Sequence, residues 1–171
     1  TPLNAGIAGG AHVVLIAEID YDIETVCAQL ERRRAAGMNH SLVVVAEAIA
    51  DPEGDRRLQT LAQGERRYGG VGQRIADAIA QRTGAETRVT VLGHVQRGGS
   101  PVAMDRVIGS AFGVAAVDLC AQGRFGRMVA WQHRRIVDLS IEEAISSYQA
   151  VEPDDTLVTT ARGLGISFGD R

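Results

Sequence analysis

Apolar and polar positions along the chain keep two different rhythms. Val13 to Ile19 (VVLIAEI) and Ser41 to Ile49 (SLVVVAEAI) are short apolar runs rich in β-branched residues, and each predicts a buried strand. Arg88 to Leu92 (RVTVL) predicts a third, and Met128–Gln132 and Ile136–Leu139 two shorter ones with Arg134 and Arg135 between them. Elsewhere the spacing is helical. Thr1–Ala8 reads as the last turns of a helix stopped by Gly9-Gly10. Ile23–Ala36 carries Ile23, Val26, Cys27 and Leu30 on one face, with Arg32, Arg33 and Arg34 at the end the helix dipole favours. Val71–Arg82 sets Ile75, Ala78 and Ile79 together before Gly84, and Val102–Ala121 is a long, largely apolar helix before Gly123. Ser140 caps a helix from Ile141 to Tyr148 that has Glu142 and Glu143 in its first turn. Asp51–Gly70 is polar and glycine-containing, which predicts a loop with one helical turn around Leu58–Leu61. Val151–Arg171 has weak periodicity and predicts a weakly structured tail.

Strands written as continuous apolar runs and alternating with helices imply an α/β fold: a parallel sheet with helices on both faces. A length of 171 residues allows one domain or one and a fraction. The helix already under way at Thr1 leads us to expect an amino-terminal portion beyond this sequence.

Composition narrows the functional classes. With 45% hydrophobic and 23% charged residues the chain is not disordered as a whole. No apolar run approaches the ~18–20 residues of a membrane span, and no secretory leader pattern opens the chain. Neither a membrane partner nor export is therefore expected. Cys27 and Cys120 lie far apart in helix-like segments, which suits reduced, buried thiols in a cytoplasmic protein. The net charge of −3 argues against nucleic acid as a partner. All 18 basic residues are Arg, so every cationic contact is a guanidinium able to grip phosphate with two hydrogen bonds.

Parallel sheets bind ligands beyond the carboxyl ends of their strands. Glu47 follows the apolar core of the second strand, and a carboxylate at the end of a buried strand is costly without a partner. Arg88 opens the third strand, and Gly93, His94, Gln96, Arg97, Gly98 and Gly99 follow it. Glycines let backbone N–H groups approach an anion. Arg88 and Arg97 offer bidentate phosphate contacts and His94 a further donor. The set suits a small polyhydroxylated phosphate. It also reads as plain structure, a loop entering a helix with Ser100 as N-cap and Pro101 at the first helical position.

The stretch LGHVQRGGSP (residues 92–101), followed by Met104-Asp105-Arg106, resembles the signature of the ATP-type 6-phosphofructokinases. The preceding Glu86-Thr87-Arg88, the AGIAGGA opening, the VVVAEA strand and GGVG fit that family in the same order. The resemblance runs from about Ala5 to Tyr148 and corresponds to the carboxy-terminal half of a bacterial-type subunit, with a Rossmann-like, three-layer architecture. It implies phosphoryl transfer from Mg2+-ATP, or from pyrophosphate in some members, to the 1-hydroxyl of fructose 6-phosphate. Glu47 would then bind sugar hydroxyls, and His94 and Arg97 the sugar phosphate. Arg88 would reach the phosphate in a neighbouring subunit of a homo-oligomer, a dimer or tetramer with shared active sites. Gly98 and Gly99 would shape the loop. Residues 1–95 would form the sugar-phosphate lobe. Residues 96–150 would return to the donor lobe, with the final helix coming back to the sugar lobe, and residues 151–171 would be the tail. The family's catalytic base and donor loop belong to its first half, so this chain supplies no catalytic residue of its own; a non-catalytic fragment or sugar-phosphate-binding module is the alternative reading. Where regulated members carry effector-binding acidic and lysine residues, this chain has His12, Ala36 and Met38, which puts that regulation in doubt. The Arg32–Arg34 run reads as a solvated helix end.

Overall fold

The computed structural model describes residues 2–50, 70–146 and 150–171, together with the backbone of 58–60 and 66–68. The chain divides into two compact units, residues 1–91 with 151–171 and residues 92–150.

The first unit is organised on two parallel strands, β1 (Val13–Leu15) and β2 (Val43–Val45), in the register Val13↔Val43 to Leu15↔Val45. Because successive strand side chains point to opposite faces, β1 feeds two separate cores. Val13 and Leu15 pack with Ile23, Val26 and Cys27 of helix α2 (Ile23–Ala35) and with Val71, Ile75, Ala78 and Ile79 of helix α3 (Val71–Thr83). Val14 and Ile16 pack with Leu3 of helix α1 (Pro2–Ala8) and with Val158, Ala161, Ile166 and Phe168 near the carboxyl terminus. Arg82 of α3 donates to Glu24 of α2 at 2.6 Å, joining the two helices at their exposed edge. Helix α2 is capped by Asp22, whose carboxylate accepts the Thr25 N–H at 2.9 Å.

Both strands are shorter than their apolar runs. After Leu15 and Val45 the chain turns at once, with Ile19 N–H reaching Ile16 O and Ile49 N–H reaching Ala46 O. The runs stay apolar because these turns fold Ile19 and Ile49 back into the core.

Three further expectations change. Arg88–Leu92 is extended but is not a strand. A strand exists only against a neighbour; β2 takes one edge of β1 and Ser167 bridges the other, and no described strand runs beside 88–92. Leu58–Thr60 is not helical but β3, paired antiparallel with β4 (Arg66–Tyr68); the rest of the expected turn lies outside the described residues. The tail is ordered. Asp155 caps helix α6 (Thr156–Gly163) through the Leu157 N–H, and Val158, Ala161 and Phe168 are fully buried. Its signal is short: an i, i+3 pair on two helical turns, then Ile166 and Phe168 alternating in an extended segment.

The second unit holds helix α4 (Ala103–Ala121), the antiparallel hairpin β5 (Arg127–Gln132) and β6 (Arg135–Ser140), and helix α5 (Ile141–Ser146). His133 and Arg134 form the two-residue turn, both with positive φ (49° and 64°), the geometry a tight hairpin requires. Asp138 accepts from Arg124 and Arg127, which fixes the hairpin beside the end of α4. Ser140 caps α5 as expected: its hydroxyl accepts the Glu143 N–H and the Glu143 carboxylate accepts the Ser140 N–H. Tyr148 lies outside the described residues. Helix α5 groups with this second unit, and α6 with the first. No helix among the described residues is long and apolar enough to cross a membrane.

Two stability predictions follow from the carboxyl-terminal segment. Gly169 has φ 77°, and a Cβ there would lie 2.8 Å from Val26 Cγ2 and 3.0 Å from Tyr21 Cβ. Gly169→Ala is expected to cost about 2–4 kcal/mol, from left-handed backbone strain plus overpacking, in urea unfolding. Arg162 donates twice to Asp170, at 3.0 and 2.5 Å, and holds its carboxyl below the ordinary carboxylate value. A carboxyl bound as its anion stabilises the fold above the ordinary carboxylate range and loses that contribution as pH falls through the lowered value. Asp170→Asn is expected to lower neutral-pH stability and flatten this acid limb in unfolding curves measured across pH.

Candidate functional site

Four residues after Val89 the extended chain tightens into a 3₁₀ helix, Gly93–Arg97. Val95 N–H bonds Leu92 O at 3.0 Å and Gly98 N–H bonds Val95 O at 3.3 Å. With three residues per turn, positions i and i+3 eclipse, so His94 and Arg97 stand on the same side. Both are exposed, and neither has a hydrogen-bond or ion-pair partner among the described residues. An exposed guanidinium and an exposed imidazole three residues apart, without a partner among the described residues, can each donate to an anion such as phosphate.

The two glycines that follow differ. Gly98 is extended (φ −96°), a conformation any residue adopts. Gly99 has φ 103°, where an L side chain is strained. Ser100 and Pro101 complete the loop, but Ser100 is not the cap of α4. The N-cap is Val102, and Asp105 accepts its N–H at 2.9 Å. The carboxylate from inside the first turn thus does the work that was expected of the upstream hydroxyl. Asp105 belongs to the motif's trailing Met-Asp-Arg.

Glu47 and Arg88 belong to the first unit, and His94, Arg97, Gly98 and Gly99 to the second. Glu47 sits in the turn just past β2, on the carboxyl end of the parallel pair. It is exposed, so the desolvation penalty that drew attention to it does not apply; an exposed carboxylate beyond a strand is free to accept hydrogen bonds from a ligand. Arg88 is 88% exposed and gives both Nε and a terminal nitrogen to Glu86 Oε1, at 3.1 and 2.9 Å. Glu86 was not foreseen as a partner. Its signal is the spacing: in an extended segment residues two apart share a side. Such an exposed pair contributes little, so Arg88 is readily given up to a stronger anion.

Among the described residues no group of three or more His, Cys, Asp or Glu is arranged to hold a metal ion.

Helix α4 carries two apolar faces. Ile108, Ala111, Phe112, Ala115 and Leu119 form the better-covered stripe at helical spacing. Met104, Val107, Val114 and Val117 lie outside it, each at least 60% exposed. A helix apolar on more than one side is normally an interior element.

The family model described as Phosphofructokinase matches residues 2–120. Among curated proteins, the chain is 58% identical over 168 residues to an ATP-dependent 6-phosphofructokinase of Synechocystis sp., covering 98% of this chain and 46% of that protein. It is 51% identical to the corresponding protein of Nostoc sp., over 98% of this chain and 47% of that one. Against that of Thermosynechococcus vestitus it is 46% identical, over 99% and 45%. The chain thus spans just under half the length of these relatives.

The glycine geometry makes a contrast to test. Gly99→Ala is expected to cost about 1–2 kcal/mol, the strain of a left-handed alanine, and Gly98→Ala, which meets only an ordinary contact to Val95 O, well under 1 kcal/mol. Paired urea denaturation of the two variants measures the difference.

Proposed function

The chain belongs to the phosphofructokinase family, and on that premise we propose that it is the fructose 6-phosphate-binding half of an ATP-dependent 6-phosphofructokinase. The observation that carries this reading is the 3₁₀ helix that sets His94 and Arg97 one turn apart, exposed and without a partner among the described residues, ahead of Gly98 and Gly99. The reading also takes the β1–β2 pair as part of a larger three-layer, Rossmann-like sheet, with residues 1–95 as the sugar-phosphate lobe and 96–150 contributing to the donor lobe.

In this reading Arg97 and His94 neutralise the sugar phosphate, Arg97 with two hydrogen bonds and His94 with one. Gly98 and Gly99 let the loop pass close to the ligand. Glu47 accepts hydrogen bonds from sugar hydroxyls and so fixes which face of the sugar is presented. Arg88 leaves Glu86 for the phosphate bound by a neighbouring subunit, which makes the working form a homo-oligomer, dimer or tetramer, with shared sites. The exposed apolar side of α4 supports a larger assembly, because water is a poor neighbour for Met104, Val107, Val114 and Val117.

The contribution of these residues to rate is positional. In-line attack by the 1-hydroxyl on the terminal phosphoryl of ATP needs the sugar phosphate and the sugar hydroxyls each fixed, and the roles proposed for Arg97 and His94 and for Glu47 are of that kind. Mg2+ bound with ATP would neutralise the donor's phosphates, and the residues that hold it are expected in the half of the relatives that this chain does not span. The relatives are named for ATP, and nothing supports pyrophosphate as the donor. Cys27 is buried as expected, whereas Cys120 is exposed; both are free thiols and suit a cytoplasmic setting.

Two measurements bear on this. In the full-length enzyme, Arg97→Ala is expected to raise KM for fructose 6-phosphate at least about tenfold, the loss of a charge-assisted phosphate contact, with a smaller effect on kcat. An unchanged KM would remove Arg97 from the site. The purified chain of 171 residues is expected to show no turnover with ATP and fructose 6-phosphate; measurable turnover would show that catalytic groups lie within it.

A further inference from the structure

His12 stands at the entry to β1, and three segments meet on it. Its N–H donates to Leu42 O at 2.9 Å, its carbonyl accepts the Ser167 N–H at 3.0 Å, and its ring nitrogen Nδ1 accepts the Leu42 N–H at 2.8 Å. The side chain therefore supplies the bond that a strand neighbour would otherwise make, just before the β1–β2 register begins at Val13↔Val43. An imidazole nitrogen accepts only while it carries no proton. This geometry fixes the neutral Nε2–H tautomer.

The charged surroundings are all of one sign. The His40 ring lies edge-on at 6.1 Å between centroids, and Arg33, at the end of α2, is anchored near this connection by its Nε bond to Ser41 at 3.3 Å. The segments hydrogen-bonded to His12, residues 41–45 and 166–168, carry no ionisable side chain, and neither does α1. Those three segments offer no carboxylate to compensate a charge on the ring, and the charges that act on it are those of Arg33 and His40.

We propose that His12 is a proton-operated clip at the start of the parallel pair: closed when its ring is neutral, and released when Nδ1 takes a proton and faces the Leu42 N–H as a second donor. Release gives up the Leu42 N–H alone: the His12 N–H still donates to Leu42 O, and the β1–β2 ladder beyond it stays in place. The device is separate from the proposed sugar-phosphate residues and does not depend on that reading.

Burial, then the charges of Arg33 and His40, hold the His12 ring below the ordinary histidine value of 6.5. A base whose folded value is lowered binds protons more readily in the opened state. Its stabilisation is therefore complete above the ordinary value and is lost as pH falls through the lowered one.

Hydrogen exchange at single amides, on the chain itself, tests this. Between about pH 7.5 and 5, the protection factor of Leu42 is expected to fall about fivefold more than that of Val14, whose N–H is held by Ser167 O. In His12→Asn, whose Oδ1 accepts from nearly the same place without titrating, Leu42 is expected to stay protected throughout. A wild-type Leu42 amide indifferent to pH, or an equal loss in His12→Asn, would overturn the proposal. If the variant does not fold, nitrogen NMR of the wild-type ring decides: a neutral ring with an unprotonated, hydrogen-bonded Nδ1 supports the clip, and a proton on Nδ1 at neutral pH sinks it.

Discussion

The first unit depends on one constraint, the complete burial of β1. Val13, Val14 and Leu15 have no exposure to water, and Ile16 has almost none. Four successive apolar side chains cannot share one face of a strand, so the chain must cover both. It does so with elements distant in sequence. Helices α2 and α3 close over Val13 and Leu15, and α1 with the carboxyl-terminal segment close over Val14 and Ile16. Each fully buried side chain of this size is worth roughly 1.5–3 kcal/mol relative to exposure, so the strand that both cores share weighs on the stability of either.

That arrangement explains why the last residues are ordered. Phe168 is fully buried in the second core, Ser167 pairs with the free edge of β1, and Gly169 leaves no room for a Cβ beside Val26 and Tyr21. Arg162 lies over the Phe168 ring and grips Asp170, closing this corner with charge on its outside. The same arrangement sends β2 parallel to β1, which puts Glu47 beyond the carboxyl end of the pair.

The second unit is built on different physics. Its hairpin is held by hydrogen bonds and by two guanidiniums on Asp138, and α4 buries only Leu119. Much of its apolar surface faces water. The proposed phosphate-binding residues are carried at the head of this unit by a 3₁₀ helix whose backbone bonds are local, so the spacing of His94 and Arg97 is set by three residues of chain and not by distant packing.

What the sequence by itself determined was therefore whatever rests on short-range periodicity. Helices α2 and α3, the capping of α5 by Ser140 and the two strand segments near 128–132 and 136–139 follow from spacing and local hydrogen bonding, and the family motif is legible without any structure; the pairing of those segments, with the turn at His133-Arg134 and Arg135 inside β6, and the 3₁₀ turn of 93–97, expected as loop, are visible only in the fold. What tertiary structure decided was whatever needs a partner. Arg88–Leu92 has the composition of a strand and no described strand beside it. The strands β1 and β2 stop early because the turns after them return Ile19 and Ile49 to the core. Residues 151–171 look weak alone and are ordered because β1 offers them an apolar face and a free edge. Arg88 finds Glu86, and Asp105 displaces Ser100 as the cap of α4, through geometry that composition does not display. A helix is satisfied by its own backbone within four residues; a strand edge, a buried face or an ion pair is satisfied only by whatever the fold brings to it.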